Sequence, residues 1–466
     1  MDKKKLRLEI RKILIPLSMF AAMVEKNKAK LTGILNVLEF KNDILAAGGE
    51  IYAVGGIVRD AVMGKASDDL DIVIRGVPYD KLFTILSKYG YAKDTSFVDE
   101  NGKKDFGATK FVSKNEKFNK LLSDNGIRQD IDVMLPRKDS KDVDVKGHRS
   151  IKSDVNPYFT IYDDLLRRDI TINAIALDLS GKLIDNGNAL KDIQNGVIRA
   201  VSEEAFLEDP LRMIRAVRFA ARFDYQWDER TLDMIRNNAH LLSDKSELPR
   251  ERFLMEFQKM IGKADLGRAV KLLVDLGLYK AIFGIEPKIR DYKEFDHAKS
   301  VAEFCYMLFE SEPANTILPL IEKNISNTVE DLKYVEALIK YISTVKGKTL
   351  AMVPEINALA TLYNISPDML LNSYFVEDRH RAIAHKFKNG NLPKGEHDVQ
   401  LKGEEFMKFI VEELAERGMK FEAKRDGAKM GKAKNLAIQA IYSGEIQNNK
   451  DSIKNYLTDH IESWIN

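Results

Sequence analysis

Two aspartates, Asp69 and Asp71, stand one residue apart at the start of an apolar segment. The segment Leu70–Ile74 is typical of a buried strand, and side chains two residues apart point to the same face of a strand. Two carboxylates on one face suit a Mg²⁺ ion that carries a polyphosphate. An Asp-X-Asp sequence alone is more often a solvated turn, so its neighbours in the chain decide between the two interpretations.

A Gly-Gly turn precedes the aspartates and supports the phosphate interpretation. Gly55 and Gly56 follow the apolar strand Ile51–Val54 and come directly before a predicted helix that begins near Ile57. Glycines let the backbone approach a ligand closely and point its amides at an anion. Arg59 lies in the first turn of that helix, where it could reach the same phosphates. We therefore predict nucleotide contacts at all three residues.

The segment Arg128–Arg137 offers a third carboxylate. It has the alternation of a strand, with Asp130 and Asp132 on one face. Either aspartate could join Asp69 and Asp71 across the sheet, and three carboxylates around two Mg²⁺ ions would activate a hydroxyl and stabilise a leaving pyrophosphate. The alternative is an edge strand with one wet face.

Paired arginines form the next candidate. Arg167 and Arg168 precede Asp169 and an apolar run that could return to the sheet. Guanidinium groups bind phosphate oxygens through two parallel hydrogen bonds, so the pair suits a triphosphate site. Arginine pairs are also common on protein surfaces, and this motif is weak by itself.

The segment Glu208–Phe223 is more specific, because its arginines follow the helical period. At about 100° per residue, four arginines fall within one arc of about 120° that borders the apolar stripe. Buried guanidinium groups need anions or hydrogen-bond acceptors. Asp209 opens this helix, so an acceptor and a donor one turn apart could meet the edge of a base. The four arginines are Arg212, Arg215, Arg218 and Arg222. The alternative is a solvated helix with surface salt bridges.

Taken in order, these motifs resemble those of the class II tRNA nucleotidyltransferases, a family that includes CCA-adding enzymes and bacterial poly(A) polymerases. The matching segments are GGIVRDAVMG, DDLDIV, RRDITINAIA, EDPLRMIRAVRFAARF and ELPRERFLMEFQKMI, with a weaker tail pattern, GAKMGKAKNLAIQAIYSGEI. The resemblance covers about residues 48–262. Ile170 stands where the family more usually has Phe, which is a conservative departure.

The resemblance implies a role for each matching residue. Asp69 and Asp71 match metal-binding carboxylates, and Asp132 matches the third carboxylate. Asp209 and Arg212 match the pair that reads the Watson–Crick edge of the incoming base. The residues that match other nucleotide contacts are Gly56, Arg59, Arg168, Arg215 and Arg218.

The resemblance also implies a reaction, in which CTP and ATP extend the 3′ end of tRNA with Mg²⁺ as cofactor. Cytosine and adenine both present a donor beside an acceptor, so one carboxylate and one guanidinium can accept both bases and refuse guanine and uracil. CCA addition is the first hypothesis. Poly(A) synthesis, or addition of only CC or only A, would use the same motifs. An inactive RNA-binding protein is the alternative of another class, and the intact carboxylates argue against it.

The pattern of strands and helices predicts an α+β chain. A head with a mixed sheet is predicted at 46–180, and the resemblance makes it polymerase-β-like. Helical periods then predict a neck at 181–265, a body at 266–395 and a tail at 396–466, after a helical N-terminal extension at 1–45. The helical period runs over Ala205–Arg222, with Pro210 where a helix could begin, and a mobile loop is predicted over the polar stretch Asn115–Asn125.

Composition bounds the partners. The chain has 466 residues and a net charge of +2, so an RNA surface must come from local clustering. A cluster in the tail predicts contact with RNA phosphates through Lys424, Arg425, Lys429, Lys432 and Lys434. The single cysteine, Cys305, excludes an internal disulfide and favours the cytoplasm. No segment predicts a membrane span, and nothing in the sequence indicates a protein partner.

Overall fold

The computed structural model describes residues 17–95, 97–98, 104–105, 107–141, 151–243, 248–325, 328–346, 353–388, 392–393 and 398–465. The chain divides into two compact units, Met1–Pro287 and Lys288–Asn466. The division falls inside the predicted body, and the predicted domain boundaries stay predictions.

The N-terminal unit is built on a seven-stranded mixed sheet in the order β11-β10-β1-β2-β7-β6-β3. Strands β2 and β7 run parallel, and the other neighbours in this sheet run antiparallel. The strands are β1 Glu50–Val54, β2 Asp71–Arg75, β3 Gly90–Asp94, β4 Phe97–Val98, β5 Lys104–Asp105, β6 Ala108–Ser113, β7 Asp130–Met134, β8 Arg137–Lys141, β9 Ile151–Val155, β10 Ile175–Asp178, β11 Leu183–Asp185, β12 Val197–Ile198 and β13 Gln226–Trp227.

Helices cover the sheet and then continue beyond it. The helices of the N-terminal unit are α1 Leu17–Asn36, α2 Lys41–Ala46, α3 Gly56–Val62, α4 Tyr79–Tyr89, α5 Glu116–Asp124, α6 Ile161–Leu166, α7 Ala189–Asn195, α8 Ala205–Glu208, α9 Leu211–Phe223, α10 Glu229–Asn238, α11 Arg250–Met260, α12 Leu266–Asp275 and α13 Leu278–Phe283.

One face of the sheet packs on helix α6. Tyr52, Val54 and Val73 of the central strands share a buried cluster with Ile161 and Leu165 of that helix. Ile161 and Leu165 are four residues apart, so they lie on one side of the helix. This packing fixes the segment that continues from α6 into Arg167 and Arg168, and therefore sets where both arginines stand relative to β1 and β2.

The N-terminal helix α1 is attached to the same domain. The Asn36 side chain donates a hydrogen bond to the carbonyl of Leu179, beyond the end of β10, over 2.9 Å. Leu31, Ile34 and Leu35 are buried. Residues 1–16, the first part of the predicted extension, lie outside the described residues.

One local expectation is wrong. The stretch Asn115–Asn125 is not a loop, because α5 forms there with Phe118 and Leu122 buried and Asn115 capping its first turn.

The predicted helical stretch Ala205–Arg222 is helical on both sides of Asp209, which is extended at φ −135° and ψ 99°. Pro210 follows, and proline disfavours helical geometry in the residue before it.

The C-terminal unit is helical throughout its described residues. Its helices are α14 Val301–Phe309, α15 Ala314–Asn324, α16 Val329–Thr344, α17 Val353–Ile365, α18 Pro367–Asn372, α19 Asp378–Lys388, α20 Gly403–Glu416, α21 Ala423–Ser443, α22 Lys450–Asp459 and α23 Glu462–Ile465. Over the part of the chain that the structure describes, no helix is both long and apolar enough to cross a membrane. The predicted α+β class, with a mixed sheet followed by mostly helical regions, is confirmed.

Candidate active site

The N-terminal unit contains a cavity of about 730 Å³ between the sheet and helices α9 and α11. Ten basic and five acidic side chains line it, so the lining suits a polyanion. The predicted site residues that line this cavity are Gly55, Gly56, Arg59, Asp69, Asp71, Arg168, Asp209, Arg212, Arg215 and Arg218. The fold thus brings together residues that lie up to about 160 positions apart in sequence.

The carboxylates lie at the sheet edge of this cavity. Asp71 begins β2 and stands directly beside Asp132 in the parallel ladder with β7. Asp132 itself is not among the residues that line the cavity. Asp69 precedes the strand and pairs with Arg128. In the described residues, no three His, Cys, Asp or Glu side chains stand close enough to hold a metal ion.

Burial and a like charge act together on Asp71. Burial raises the pKa of its carboxyl group, Asp132 raises it further, and Arg168 acts in the opposite direction, with a net rise above the ordinary value. Two carboxylates that destabilise each other's charged form favour a cation between them. This donor set is all oxygen, which is the kind that Mg²⁺ prefers.

Gly55 is required by the position of Arg168. Gly55 has φ +71°, and a Cβ atom there would stand 2.7 Å from Nη1 of Arg168. Only glycine adopts this backbone conformation without strain. The glycine therefore allows the arginine to lie against the turn between β1 and α3.

Asp164 holds the paired arginines. It is fully buried and accepts hydrogen bonds from Nε of Arg167 over 3.0 Å and from Nη2 of Arg168 over 2.8 Å. Burial alone would raise the pKa of Asp164, but the two guanidinium groups hold it at about 2. Nε of Arg168 is buried and has no hydrogen-bond partner within the described part of the chain.

Arg59 is buried in an internal network and lines the cavity as well. It donates to both carboxylate oxygens of Asp60 over 2.9 Å and to the side chain of Asn173. Its guanidinium stands 5.1 Å from the ring centre of Phe219 and 5.0 Å from that of Phe223. Burial lowers the pKa of Arg59, and Asp60 opposes that effect. If Arg59 contacts a phosphate as predicted, it would use N–H groups of its guanidinium that do not bond to Asp60 or Asn173.

Asp169 connects the turn after α6 to helix α9. Its carboxylate accepts from the Ile170 amide over 2.8 Å, from Nδ2 of Asn173 over 3.0 Å and from Nε of Arg215 over 2.9 Å. Although burial opposes ionisation, Arg215 and these donors hold the pKa of Asp169 at about 2.

Glu256 of α11 is the second acidic partner of the α9 arginines. It accepts from Nε of Arg218 over 2.9 Å and from Nη1 of Arg215 over 3.4 Å. Burial alone would raise the pKa of Glu256, but Arg218 and Arg215 hold it below its ordinary value. Arg218 also stands 4.3 Å from the ring centre of Phe219. The alternative of a solvated helix is wrong for α9, because Arg212 and Arg218 are each only 7% exposed.

Both members of the predicted base-reading pair are held by neighbours. Asp209 accepts from Nη2 of Arg252 over 2.7 Å and from the amide of Leu211 over 3.2 Å. Arg212 donates from Nη1 to Glu208 over 2.9 Å and to the carbonyl of Ala205 over 3.0 Å. The break between α8 and α9 thus presents an acceptor and a donor at the cavity wall.

The contribution of α11 to the cavity wall was not predicted from the sequence. Arg252, Met255, Glu256 and Lys259 all line the cavity. They stand three, one and three residues apart, which places them on one side of a helix. That spacing could be seen in the sequence. The partners of these residues lie in and just before α9, and the sequence did not show those contacts.

The predicted RNA-binding cluster lies on α21 in the C-terminal unit. Lys432 is exposed, whereas Lys429 and Lys434 are half-buried. Lys429 pairs with the buried Asp426 over 3.3 Å. The side chains of Lys424 and Arg425 lie outside the described residues. RNA contact by this cluster stays a prediction.

Two family profiles match the chain. Residues 51–199 match the poly A polymerase head domain, and residues 224–292 match the probable RNA and SrmB-binding site of polymerase A. The first match contains the carboxylates and the paired arginines, and the second contains α11. The helix α9 lies between the two matched stretches.

Known proteins extend this likeness along the chain. A CCA-adding enzyme of Ligilactobacillus salivarius is 32% identical over 308 residues, which are 64% of this chain and 67% of the relative. One of Streptococcus thermophilus is 27% identical over 88% of this chain and 93% of its own length. The crystal structure of the Bacillus stearothermophilus CCA-adding enzyme in complex with CTP shares the fold, with a TM-score of 0.62 and 19% identity over 94% of this chain and 98% of that one. These relatives confirm the resemblance seen in the motifs, and the chain belongs to the family of CCA-adding enzymes.

Proposed function

We propose that this chain adds C, C and A to the 3′ end of tRNA, with CTP and ATP as substrates. The observation that carries the proposal is the cavity itself. Asp69 and Asp71 line it together with the arginines of α9, which supports a single site for phosphate chemistry and base recognition. Membership of the CCA-adding enzymes supplies the reaction class.

The triphosphate would bind between the Gly-Gly turn and the paired arginines. Arg168 has an unsatisfied Nε in the described part of the chain, and its Nη2 is fixed by Asp164. A phosphate oxygen is the acceptor that this geometry lacks. Because Asp164 holds both arginines from behind, their remaining N–H groups are directed without loss of side-chain entropy on binding. We assign Gly55, Gly56 and Arg59 to the same phosphates.

The carboxylates fit Mg²⁺ as the cofactor. Asp69, Asp71 and Asp132 supply only oxygen donors, and Asp71 and Asp132 are neighbours on parallel strands. When bound, Mg²⁺ would favour ionisation of the RNA 3′-hydroxyl and neutralise charge on the pyrophosphate that leaves. The residues of the chain orient the reacting groups, since Arg168 fixes the triphosphate while the strands fix the carboxylates.

The base would be chosen at the break between α8 and α9. Asp209 would accept from the exocyclic amino group of cytosine or adenine, and Arg212 would donate to the adjacent ring nitrogen. Guanine and uracil present the donor and the acceptor in the opposite order, so each would set an acceptor against Asp209 and a donor against Arg212. A mismatched buried polar pair carries a substantial penalty. Arg215 and Arg218 would hold the nucleotide from the same helix.

RNA binding and location complete the proposal. We assign tRNA phosphate contacts to the basic residues of α21, where Lys432 is exposed and Gly427 and Gly431 have open space at their Cβ positions. A tRNA-processing enzyme with a single, buried cysteine fits the cytoplasm. No protein partner is invoked.

The test is extension of tRNA that lacks its 3′-terminal CCA, with Mg²⁺ and each nucleotide given singly and in combination. We expect two additions with CTP alone, none with ATP alone, and three with both. Long A tails on diverse RNAs would instead identify a poly(A) polymerase. Termination after CC, or addition of A only to a CC end, would identify a partial enzyme. Absence of incorporation by a folded, RNA-binding protein would identify a binding protein.

The matched variant is Asp71→Ala. It should abolish addition while the circular dichroism spectrum and the thermal midpoint stay close to those of the unmodified protein, because Asp71 begins a strand whose following residues carry the packing. Retained activity would contradict the assignment of the metal carboxylates.

A further inference from the structure

Two basic side chains stand among the carboxylates at the cavity edge of the sheet. Lys110 of β6 places Nζ 2.9 Å from Asp130 and 3.4 Å from Asp132. Arg128 pairs with Asp69, and its Nε lies 3.9 Å from Asp130. Asp130 therefore touches both cations, and each cation also touches a proposed metal carboxylate.

The register of the strands explains this arrangement. Lys110 lies directly opposite Asp132 in the antiparallel ladder of β6 and β7. Asp130 lies two residues earlier on β7, so it shares a face with Asp132 and flanks the lysine on that face. Asp71 faces Asp132 from the other side. Asp132 is thus placed between a lysine and a carboxylate, whereas Asp130 lies just before the first pair of the β2–β7 ladder.

These pairs are unsuited to a role in fold stability. The side chains of Lys110, Asp130 and Asp132 are each more than a third exposed, at 40%, 35% and 36%. Exposed ion pairs contribute little to folding because water screens them. The same charges matter more for the affinity of a nearby divalent ion, because each of them changes the electrostatic potential at the position where that ion binds.

We propose that Asp130 is a positioning residue for the metal site, which holds Lys110 away from Asp132 so that a divalent cation can take its place there. The proposal rests on the assignment of Asp69, Asp71 and Asp132 as metal carboxylates. Without a divalent ion, Lys110 offsets the negative charge between Asp132 and Asp71. When the ion binds, the ammonium group keeps Asp130 as its partner. Arg128 likewise contacts one proposed metal carboxylate, Asp69, and also Asp130, which could hold it when the ion binds.

The hypothesis also accounts for two adjacent aspartates of one face with different roles. The strand pattern alone left open whether Asp130 or Asp132 is the third carboxylate, and the family resemblance favoured Asp132. The register puts Asp132 beside Asp71, and Asp130 is the one bound most closely by Lys110. Asp130, which is not itself a metal ligand in this proposal, would thereby hold the basic side chains that compete with the metal ion for the ligand carboxylates.

The test measures Mn²⁺ binding by electron paramagnetic resonance in the absence of nucleotide. Four proteins form a double-mutant cycle: the unmodified chain, Lys110→Met, Asp130→Asn and the double variant. Removing the competing cation in Lys110→Met should tighten Mn²⁺ binding by about fivefold, the effect of one charge at ~8 Å from a divalent ion. Asp130→Asn should weaken it by about tenfold, because it removes a charge and also releases Lys110 to Asp132.

The double variant separates positioning from simple charge. In the Lys110→Met background, Asp130→Asn should weaken binding by no more than about fivefold, the effect of its own charge, because no lysine remains to be released. Equal factors in both backgrounds would contradict the proposal and leave only a through-space charge effect. Lys120→Met, at an exposed lysine of α5, is the control and should leave Mn²⁺ affinity unchanged.

Failure of the metal assignment would look different. If the unmodified protein bound no Mn²⁺, or if Asp71→Asn bound it equally well, the metal carboxylates themselves would be wrong and this inference would fall with them. Lys110→Arg provides a further readout, because it keeps the charge and should restore the dependence on Asp130. Circular dichroism of each variant should be unchanged, as expected for exposed pairs.

Discussion

Arg252 donates a hydrogen bond from Nη2 to Oδ2 of Asp209 over 2.7 Å, across 43 positions of sequence. Asp209 stands at the extended break between α8 and α9, where no helix fixes its backbone. One turn after Arg252, Glu256 accepts hydrogen bonds from Arg215 and Arg218. Helix α11 therefore positions the acceptor that we assign to base reading and the arginines beside it.

Replacement of Arg252 by Ala should impair base choice. Without its partner, Asp209 loses its fixed orientation, and we expect kcat/KM for CTP to fall by about tenfold, the effect of one charge-assisted hydrogen bond. The ratio of CTP to UTP incorporation should fall as well. Steady-state kinetics with each nucleotide on tRNA lacking CCA would measure both.

The control for this variant is Arg236→Ala on the neighbouring helix α10. Arg236 is exposed, and its ion pair within the described residues is with Asp233, over 3.8 Å. Its kinetics should match those of the unmodified protein. An Arg252→Ala enzyme with unchanged selectivity would show that Asp209 either needs no positioning or does not read the base.

Arg212→Ala should affect selectivity more than triphosphate binding. The guanidinium is the only donor that we assign to the base edge, whereas the phosphates are assigned to other residues. We expect a fall in CTP and ATP preference of about tenfold or more, with the inhibition constant of inorganic triphosphate changed less than twofold. Arg222→Ala is the matched variant on the same helix and cavity wall, and it should keep the selectivity. Unaltered nucleotide choice in Arg212→Ala would refute the proposed reading of the base.

Gly55→Ala should raise KM for both nucleotides. The new Cβ would stand 2.7 Å from Nη1 of Arg168, and the residue would keep φ +71°, which is strained for alanine. The strain alone is worth about 1 kcal/mol, and displacement of the arginine adds a loss of phosphate binding.

Gly126→Ala separates these two effects. Gly126 has φ +72° and open space around its Cβ position, so its variant carries the backbone strain without the clash. We expect a similar fall in the free energy of unfolding for the two variants and a rise in KM only for Gly55→Ala. A KM that rises equally in both, or in neither, would argue against contact between the turn and Arg168.

The buried Asp169 predicts a pH dependence of stability. Arg215 and neighbouring donors hold its pKa at about 2 against an ordinary value of 3.8. A depressed carboxyl pKa contributes stability above the unfolded value, and that contribution is lost as the pH falls through the folded value. At pH 7 we expect Asp169→Asn to reduce the free energy of unfolding of the N-terminal unit by about 2 kcal/mol.

Urea unfolding at pH 5, 4 and 3 would measure this dependence. The difference between the unmodified protein and Asp169→Asn should stay constant down to about pH 4 and fall by roughly half by pH 3. Asp275 is exposed and pairs with Lys271 one turn away on α12, so Asp275→Asn should show a small difference at every pH. A difference for Asp169→Asn that does not change with pH would contradict the ion pair with Arg215.

Several features of the site follow from local sequence. The apolar runs around Asp71 and Asp132 predicted strands that the structure contains, the first with bounds shifted by one residue and the second within the predicted segment Arg128–Arg137. The arginine spacing of α9 placed those side chains beside the buried face, because helical period alone fixes that relation. The carboxylates and the paired arginines could be predicted as well, because the spacing along a strand and the chemistry of the side chains are local properties.

Other features depend on contacts that no local pattern contains. Helix α5 looked like a loop because its surface is polar, but Phe118 and Leu122, one turn apart, bury against the sheet domain and stabilise it. The strand pattern did not distinguish Asp130 from Asp132, and the register of β7 on β2 agrees with the choice of Asp132 that the resemblance implied. The pairing of Arg252 with Asp209 joins α11 to the break between α8 and α9, and only the tertiary fold determines it.

The central claim is that side chains of this chain choose C, C and A in order and then stop. The most direct measurement supplies all four nucleotides at equal concentration to tRNA that lacks CCA and sequences the product 3′ ends. We expect nearly all products to end in CCA with nothing added beyond it. Tails of many A residues, or U and G at frequencies comparable to C and A, would contradict the proposed function.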